Sequence, residues 1–567
     1  MPSLDRASVF FVYRSIAIAA LITTALSACN SSGTSTPTDG TASPPQTDVG
    51  TSTAGQASLY YVGTDVMAVN PATPSAPPIS VGGVAGSFHG AQAVYAGTYD
   101  AATGDVTSVH TDSVVWVIDG GIRRGRVNSN GVAIQNVVSS EQSIDRSVID
   151  QTSTTRFCGE QLVQDWANPN DSWYLYFLAG SDRTCSMFLG DASDVGKMVR
   201  VGAPASEAPI VLPSGPRSEI RDPRSGALTG WLAVLSDNIV RTNTRFGEPV
   251  IVKSASSFRN ALGRTQDGKL FVFVSNQVSN TSGWSLYRFD PASNTFDAGP
   301  FVSIPGLLSM GGYTQDEVQL YFSVYEAGDA AYQNTSIYRL PLNAANGDSA
   351  VKIAQETDGY FTSAMSAGPM RLTYQWTQFN PTTSGQVALT KSVAKNATTV
   401  VVATELVNAA TSYLNPSLVA VGHGLLYVNS YDAGSQRQAH ILAEDGTVIS
   451  DQVNAQWIGV VHPETQSTWH ATPAQFAILA ASSGFAGAAL WSFDMSNANT
   501  AVELGALGAD TITVATFAPF GPKFLLGAQT PGSSGSNFND AYFVDASTPG
   551  SLLRLTQTRD LHEEIVR

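Results

Sequence analysis

A short run of β-forming residues recurs ten times along this chain: at Leu59 (LYYV), Val114 (VVWVI), Trp173 (WYLYFL), Trp231 (WLAVL), Leu270 (LFVFV), Leu320 (LYFSVY), Leu372 (LTYQW), Leu425 (LLYV), Phe476 (FAIL) and Phe524 (FLL). Successive starts lie 39 to 59 residues apart, with a mean near 52. After each run comes a second strand-like run and usually a third, with Gly, Asp, Asn, Pro or Ser at the turns. Such a period marks a repeat architecture, in which one supersecondary unit cannot bury its own faces and must stack on its neighbours. A pair of β-sandwiches does not explain the spacing, and the coils of a β-helix are shorter.

Two units show the internal order best. In the fifth, TQDGKLFVFVSN leads to WSLYRFDPASNTF and then GPFVS; in the sixth, TQDEVQLYFSVYE leads to SIYRLPLNAANGD and then AVKIA. A polar turn, an apolar strand, a strand ending in Asp or Leu-Pro and a shorter strand make one antiparallel sheet, and radial stacking buries such sheets. The expectation is an all-β chain, a β-propeller of four-stranded antiparallel blades, with about 7 to 10 units over residues 58–567. These units resemble the TolB-like propellers of the bacterial envelope, in which a P-D-G-x-x-[ILV]-x-[FY] step leads to an [IL]-Y-x-x-[DN] step. Both units here carry Gln where that pattern has Pro, and the likeness is clearest over residues 263–353. The resemblance implies an envelope protein built on a propeller.

Only 13% of residues are charged and 43% are hydrophobic, which excludes a charge-rich disordered chain and a coiled coil. The net charge of -16 opposes a phosphate backbone, so nucleic acid is not an expected partner.

Arg6 and Arg14 precede an apolar run from Ile16 to Leu26, too short to span a bilayer and arranged as the start of a secretory signal. Leu26-Ser27-Ala28-Cys29 follows, and this string resembles the lipobox of bacterial lipoproteins. The resemblance implies removal of residues 1–28 and lipidation of Cys29. Asn30, being other than Asp, implies the outer membrane, with the body facing the periplasm or the cell surface. Of the 28 residues from 30 to 57, 19 are Ser, Thr, Gly or Pro and none is aromatic, the composition of a tether spanning about 30 Å. Residues 29–57 are thus read as a lipidated linker and 58–567 as the propeller.

Two cysteines remain, Cys158 and Cys185. An even pair in an oxidising compartment reads most simply as a disulfide, with a thiol nucleophile or half a metal site as the alternatives.

Motifs that carry chemistry are sparse. Gly263 to Lys269 fits G-x-x-x-x-G-K, but Leu270 stands where a Ser or Thr binds magnesium, and Asp267-Gly268 is a hairpin turn signal. Asp100-Ala101-Ala102-Thr103-Gly104 reads as a polar turn. The densest group of reactive side chains is Trp457 to His470 (WIGVVHPETQSTWH), where Trp457, His462, Glu464, Trp469 and His470 could form a ligand loop that stacks a sugar or peptide against a carboxylate. In LTYQWT, Leu372, Tyr374 and Trp376 share one sheet face and are expected to pack on a neighbouring blade. Asp119, Asp290 and Asp494 end strands and read as Asx-turn residues. No catalytic set, metal site or cofactor is expected.

The expected function is a binding or scaffolding module with a monomeric body, engaging envelope proteins or glycans. The alternative is a polysaccharide or peptide hydrolase or lyase with its site at the central pocket. Cys29→Ser is expected to abolish acylation and membrane sedimentation while the body stays folded; a variant still sedimenting with membranes would contradict the anchor.

Overall fold

The computed structural model describes most of residues 58–556. Residues 1–57, 141–155, 164–172, 202–216 and 557–567 lie outside it, as do several shorter connections, and residues 134–217 are described by backbone alone. The chain divides at Thr51, and every described residue belongs to the second unit, Ser52–Arg567.

That unit is a β-propeller. Ten antiparallel sheets follow one another in chain order: blade 1 at residues 59–83, then 88–140, 156–201, 217–254, 257–296, 309–357, 359–409, 417–453, 455–506 and blade 10 at 511–554. Strands run from inner to outer edge in sequence order in blades 3 to 8 and 10. Among the described residues blade 1 has three strands, and the other blades have four or more.

Each recurring run falls in a different sheet, so the period of the sequence is the period of the fold. Their place in the sheet differs from the expectation that they open each unit. In blades 2 to 10 the run is the second strand, preceded by an inner strand such as Ser257–Arg264 (SFRNALGR) or Ser309–Gln315 (SMGGYTQ). These inner strands mix small and polar residues, and their register slips at corresponding places, between Arg259 and Leu262, Met310 and Tyr313, and Phe361 and Met365. Each slip breaks the alternation by which a strand is recognised.

Second strands such as Leu270–Ser275 of blade 5 are almost continuously apolar because both of their faces are covered. In blade 5, Phe271 and Phe273 pack against Leu320, Phe322 and Val324 of blade 6. The intervening Leu270, Val272 and Val274 pack against Ile220, Leu232 and Ile239 of blade 4. Blade 6 repeats the rule, turning Tyr321 and Tyr325 to Leu372, Tyr374 and Trp376 of blade 7. The three large residues of LTYQW therefore pack on a neighbouring blade as expected. Burying a Phe, Leu or Val contributes about 1.5 to 3 kcal/mol, so each seam is a substantial part of the fold's stability.

The succession closes on itself. Leu59, Tyr61 and Val69 of blade 1 share one apolar cluster with Phe524, Leu526 and Phe543 of blade 10 and with Phe476 and Ile478 of blade 9. Lys523 Nζ donates to Pro71 O across the same seam at 3.0 Å.

The turns repeat as well. Asn70 follows the second strand of blade 1, and Asp290 and Asp545 end the third strands of blades 5 and 10; in each case Oδ1 accepts the backbone N–H two residues on, at 2.8 to 3.0 Å. Asp290 is thus an Asx-turn residue. Slight burial pushes its carboxyl up, but hydrogen bonds from Ser293 and Ala292 outweigh this and hold it below the ordinary range. The segment that fits a phosphate loop is a hairpin: Gly268 N donates to Thr265 O at 2.9 Å, with Gly268 at φ 85°.

The expected disulfide does not fit the strand order of blade 3. Cys158 lies in Arg156–Val163 and Cys185 in Cys185–Asp191, and Trp173–Ala179 pairs with both, between them. Two strand spacings hold the backbones about 9.5 Å apart, whereas a disulfide needs Cα atoms within about 7 Å. Mass analysis of alkylated, unreduced protein is expected to find both thiols modified; a peptide linking Cys158 to Cys185 would contradict this sheet.

Candidate interaction surface

The inner and second strands of blade 2, Phe88–Asp100 and Asp105–Ile118, form a hairpin of 13 and 14 residues. Only Val114–Ile118 of the second strand is paired on its far side by the third strand, so the hairpin projects beyond its own blade. Its tip is a polar turn as expected, with Ala102 N donating to Asp100 Oδ1 at 2.8 Å and Gly104 N to Asp100 O at 2.8 Å.

The projecting edge is taken by blade 9. Its connection after the inner strand lays Gln466–Ser467 beside Val106 and Asp105, and Val109 N donates to Glu464 O at 2.9 Å. Blade 10 joins at the same place. His462 bridges to Phe520, Gly521 N donates to His462 O at 2.8 Å, and the Phe520 ring meets Tyr95 edge-on at 4.9 Å. Gly521 has φ 81°, and a Cβ there would come within 3.2 Å of the Glu464 carboxylate, so the approach calls for glycine. The loop is also tied internally, through Gln466 Nε2 to Pro463 O and Ser467 N to Thr472 Oγ1 at 2.7 Å.

Of the five loop candidates, the structure thus brings His462 and Glu464 together. Their carbonyls strap blade 9 to blades 10 and 2, and the Glu464 side chain is exposed. Trp457 lies in the inner strand Ala455–Val461, opposite Ala480. Trp469 and His470 lie outside the described residues. Tyr95, Val109 and Phe520 were not signalled by any motif; the one sequence trace of the hairpin is the polar, Thr-rich stretch from Gly97 to Ser113.

Blades 6 to 8 hold a second construction. At one end of the seam between blades 6 and 7, Glu356 accepts Tyr374 Oη at 2.5 Å and Lys391 Nζ at 2.6 Å. Burial, then the adjacent Glu356 charge, push the Tyr374 phenol well above its ordinary range, so it stays a donor. At the other end Lys395 Nζ meets Asp316 Oδ2 at 2.5 Å and donates to Gly368 O at 2.7 Å. From blade 8, Glu444 Oε2 accepts Met370 N at 2.9 Å and Arg371 N at 2.7 Å. Arg371 Nε in turn donates to Ser392 Oγ at 2.8 Å, and that hydroxyl donates to Glu444 O at 3.1 Å.

Around these fixed turns stand exposed apolar side chains. Five of the eight large hydrophobic residues found exposed among the described residues are here: Val318, Met370, Val400, Val401 and Val402, with Met370 70% and Val402 96% exposed. Lys395 links their segments, since Lys395 N donates to Met370 O at 3.1 Å and its ammonium holds the Asp316 turn. Val401 N donates to Ile353 O at 3.0 Å, fixing the valine run against the outer strand of blade 6. Apolar side chains held out on rigid turns suit contact with another apolar surface.

No known protein family and no curated protein matches the sequence. Solved structures do. A eukaryotic initiation factor aligns over 79% of this chain and 95% of its own, at TM-score 0.40 and 10% identity. A study of two prolyl endopeptidases provides a match over 71% of this chain and 55% of that one, at TM-score 0.33 and 10% identity. The β-propeller domain of the Trilobed protease from Pyrococcus furiosus matches over 43% and 71%, at TM-score 0.26 and 10% identity.

Removing Lys391 leaves the Glu356 carboxylate buried without its cation. Lys391→Ala is expected to cost about 3 to 5 kcal/mol in denaturant unfolding, and Lys391→Met with Glu356→Leu to recover most of it. A single variant as stable as the parent would show that the pair holds nothing.

Proposed function

We propose that this protein is a non-enzymatic β-propeller, lipid-anchored at the outer membrane through Cys29, which binds or scaffolds other proteins of the cell envelope. The observation that carries the reading is the apolar group on blades 6 and 7, Val318, Met370 and Val400 to Val402, mounted on turns tied down by ion pairs and backbone hydrogen bonds. Rigid strands supply the frame and the connections between them supply contacts, the usual division of labour in propellers. A buried apolar centre with a polar rim is what an interface needs for affinity.

The N-terminal sequence supports the placement. Acyl chains give membrane affinity that this body, at -17 for residues 29–567, would not gain from anionic lipid, and residues 30–57 give it reach. An envelope propeller is also what the TolB-like pattern of units 5 and 6 implies.

The test is a crosslinking pull-down from whole envelopes with Met370→Asp and Val402→Asp together. Both side chains are exposed, so stability is expected to change by less than about 0.5 kcal/mol each. Loss of a partner captured by the parent is the expected result. A partner kept by the variant would place the working surface elsewhere, and turnover of a glycan or peptide by the purified protein would overturn the non-enzymatic reading.

A further inference from the structure

The second strands of blades 5 and 6 are apolar on both faces, but that of blade 7, Arg371–Phe379 (RLTYQWTQF), is not. Leu372, Tyr374 and Trp376 face blade 6. By the two-residue period of a strand, Thr373, Gln375 and Thr377 face the other way, toward blade 8. The third strand continues this face, since Ser392 stands opposite Thr373 and Thr390 opposite Gln375.

All five residues of this polar face are buried, with Thr373 at 1%, Thr377 at 4% and Thr390 at 0% exposure. Among the described residues the hydroxyls of Thr373, Thr377 and Thr390 have no hydrogen-bond partner. Ser392 does, through Arg371 and the Glu444 carbonyl of blade 8, so the row begins at the clasp between the blades and runs inward from it. Buried hydroxyls are almost always hydrogen-bonded, and valine has nearly the shape of threonine. Three threonines side by side, where valine would fill the same space, call for small neutral partners that both donate and accept.

We propose that blade 7 turns toward blade 8 a hydrogen-bonding face that holds a file of ordered water molecules, with Thr373, Thr377 and Thr390 as its ligands. Residues two apart on a strand stand about 6.8 Å from each other, and facing residues on paired strands about 5 Å. Single waters bridge groups at such separations, each using two to four polar partners. This seam is then wet, where those between blades 4 and 5, 5 and 6, and 6 and 7 are closed by apolar side chains.

A high-resolution crystal structure of the full chain, together with Thr373→Val, Thr377→Val and Thr390→Val, tests the proposal. The expected result is ordered water within hydrogen-bond distance of at least two of the three hydroxyls. Each valine variant should lose its own water peak and melt about 1 to 3 °C lower, because its neighbours' waters lose a partner. Thr→Ser at the same positions keeps the hydroxyl and should keep the peaks. Hydroxyls satisfied by side chains of blade 8, no density between the blades, or valine variants that melt higher than the parent would each overturn it.

Discussion

Everything in this fold depends on the two-sided burial of one strand per blade. The second strand sends alternate side chains to different neighbours, so Phe271 and Phe273 belong to one seam while Val272 and Val274 belong to the next. No blade can keep its core without both neighbours, which is why the first and last blades must meet. Leu59 and Tyr61 packing with Phe524 and Leu526 meets that demand. Loop residues contribute little to this scheme and are left to other tasks.

Two places depart from the scheme. Between blades 6 and 8, buried ion pairs and carboxylates reinforce the seams and fix the turns that carry Met370 and the valine run. Buried charges of this kind fix geometry more reliably than they add stability. Across blades 9, 10 and 2, the long hairpin and the strap from Gln466–Ser467 add sheet pairing between blades that are not neighbours in sequence. This locks the closure region from one face.

The second strands and their spacing were legible because continuous apolar runs and Asp or Asn turns have a direct physical cause in two-sided burial and Asx capping. Inner strands such as SMGGYTQ were not, since small residues and a register slip erase the alternation. The pair Cys158 and Cys185 misled for a related reason: spacing along the chain carries no information about a third strand lying between them. The 457–470 loop was visible as a concentration of His, Glu and Trp. Its use of the His462 and Glu464 carbonyls rather than their side chains is a backbone fact with no sequence signature. The exposed valines carry no sequence signature, since three consecutive apolar residues are equally compatible with a buried strand; it is the fold that places Val402 in solvent.

The central claim is a single closed ring in which every recurring run lies in its own blade, as the second strand in blades 2 to 10. An experimental density map of the protein, viewed down the ring axis, tests it most directly. The account predicts ten sheets with residues 59–69 packed against residues 524–543. A map in which those two sheets stand apart, or in which two of the ten runs share a sheet, would contradict it.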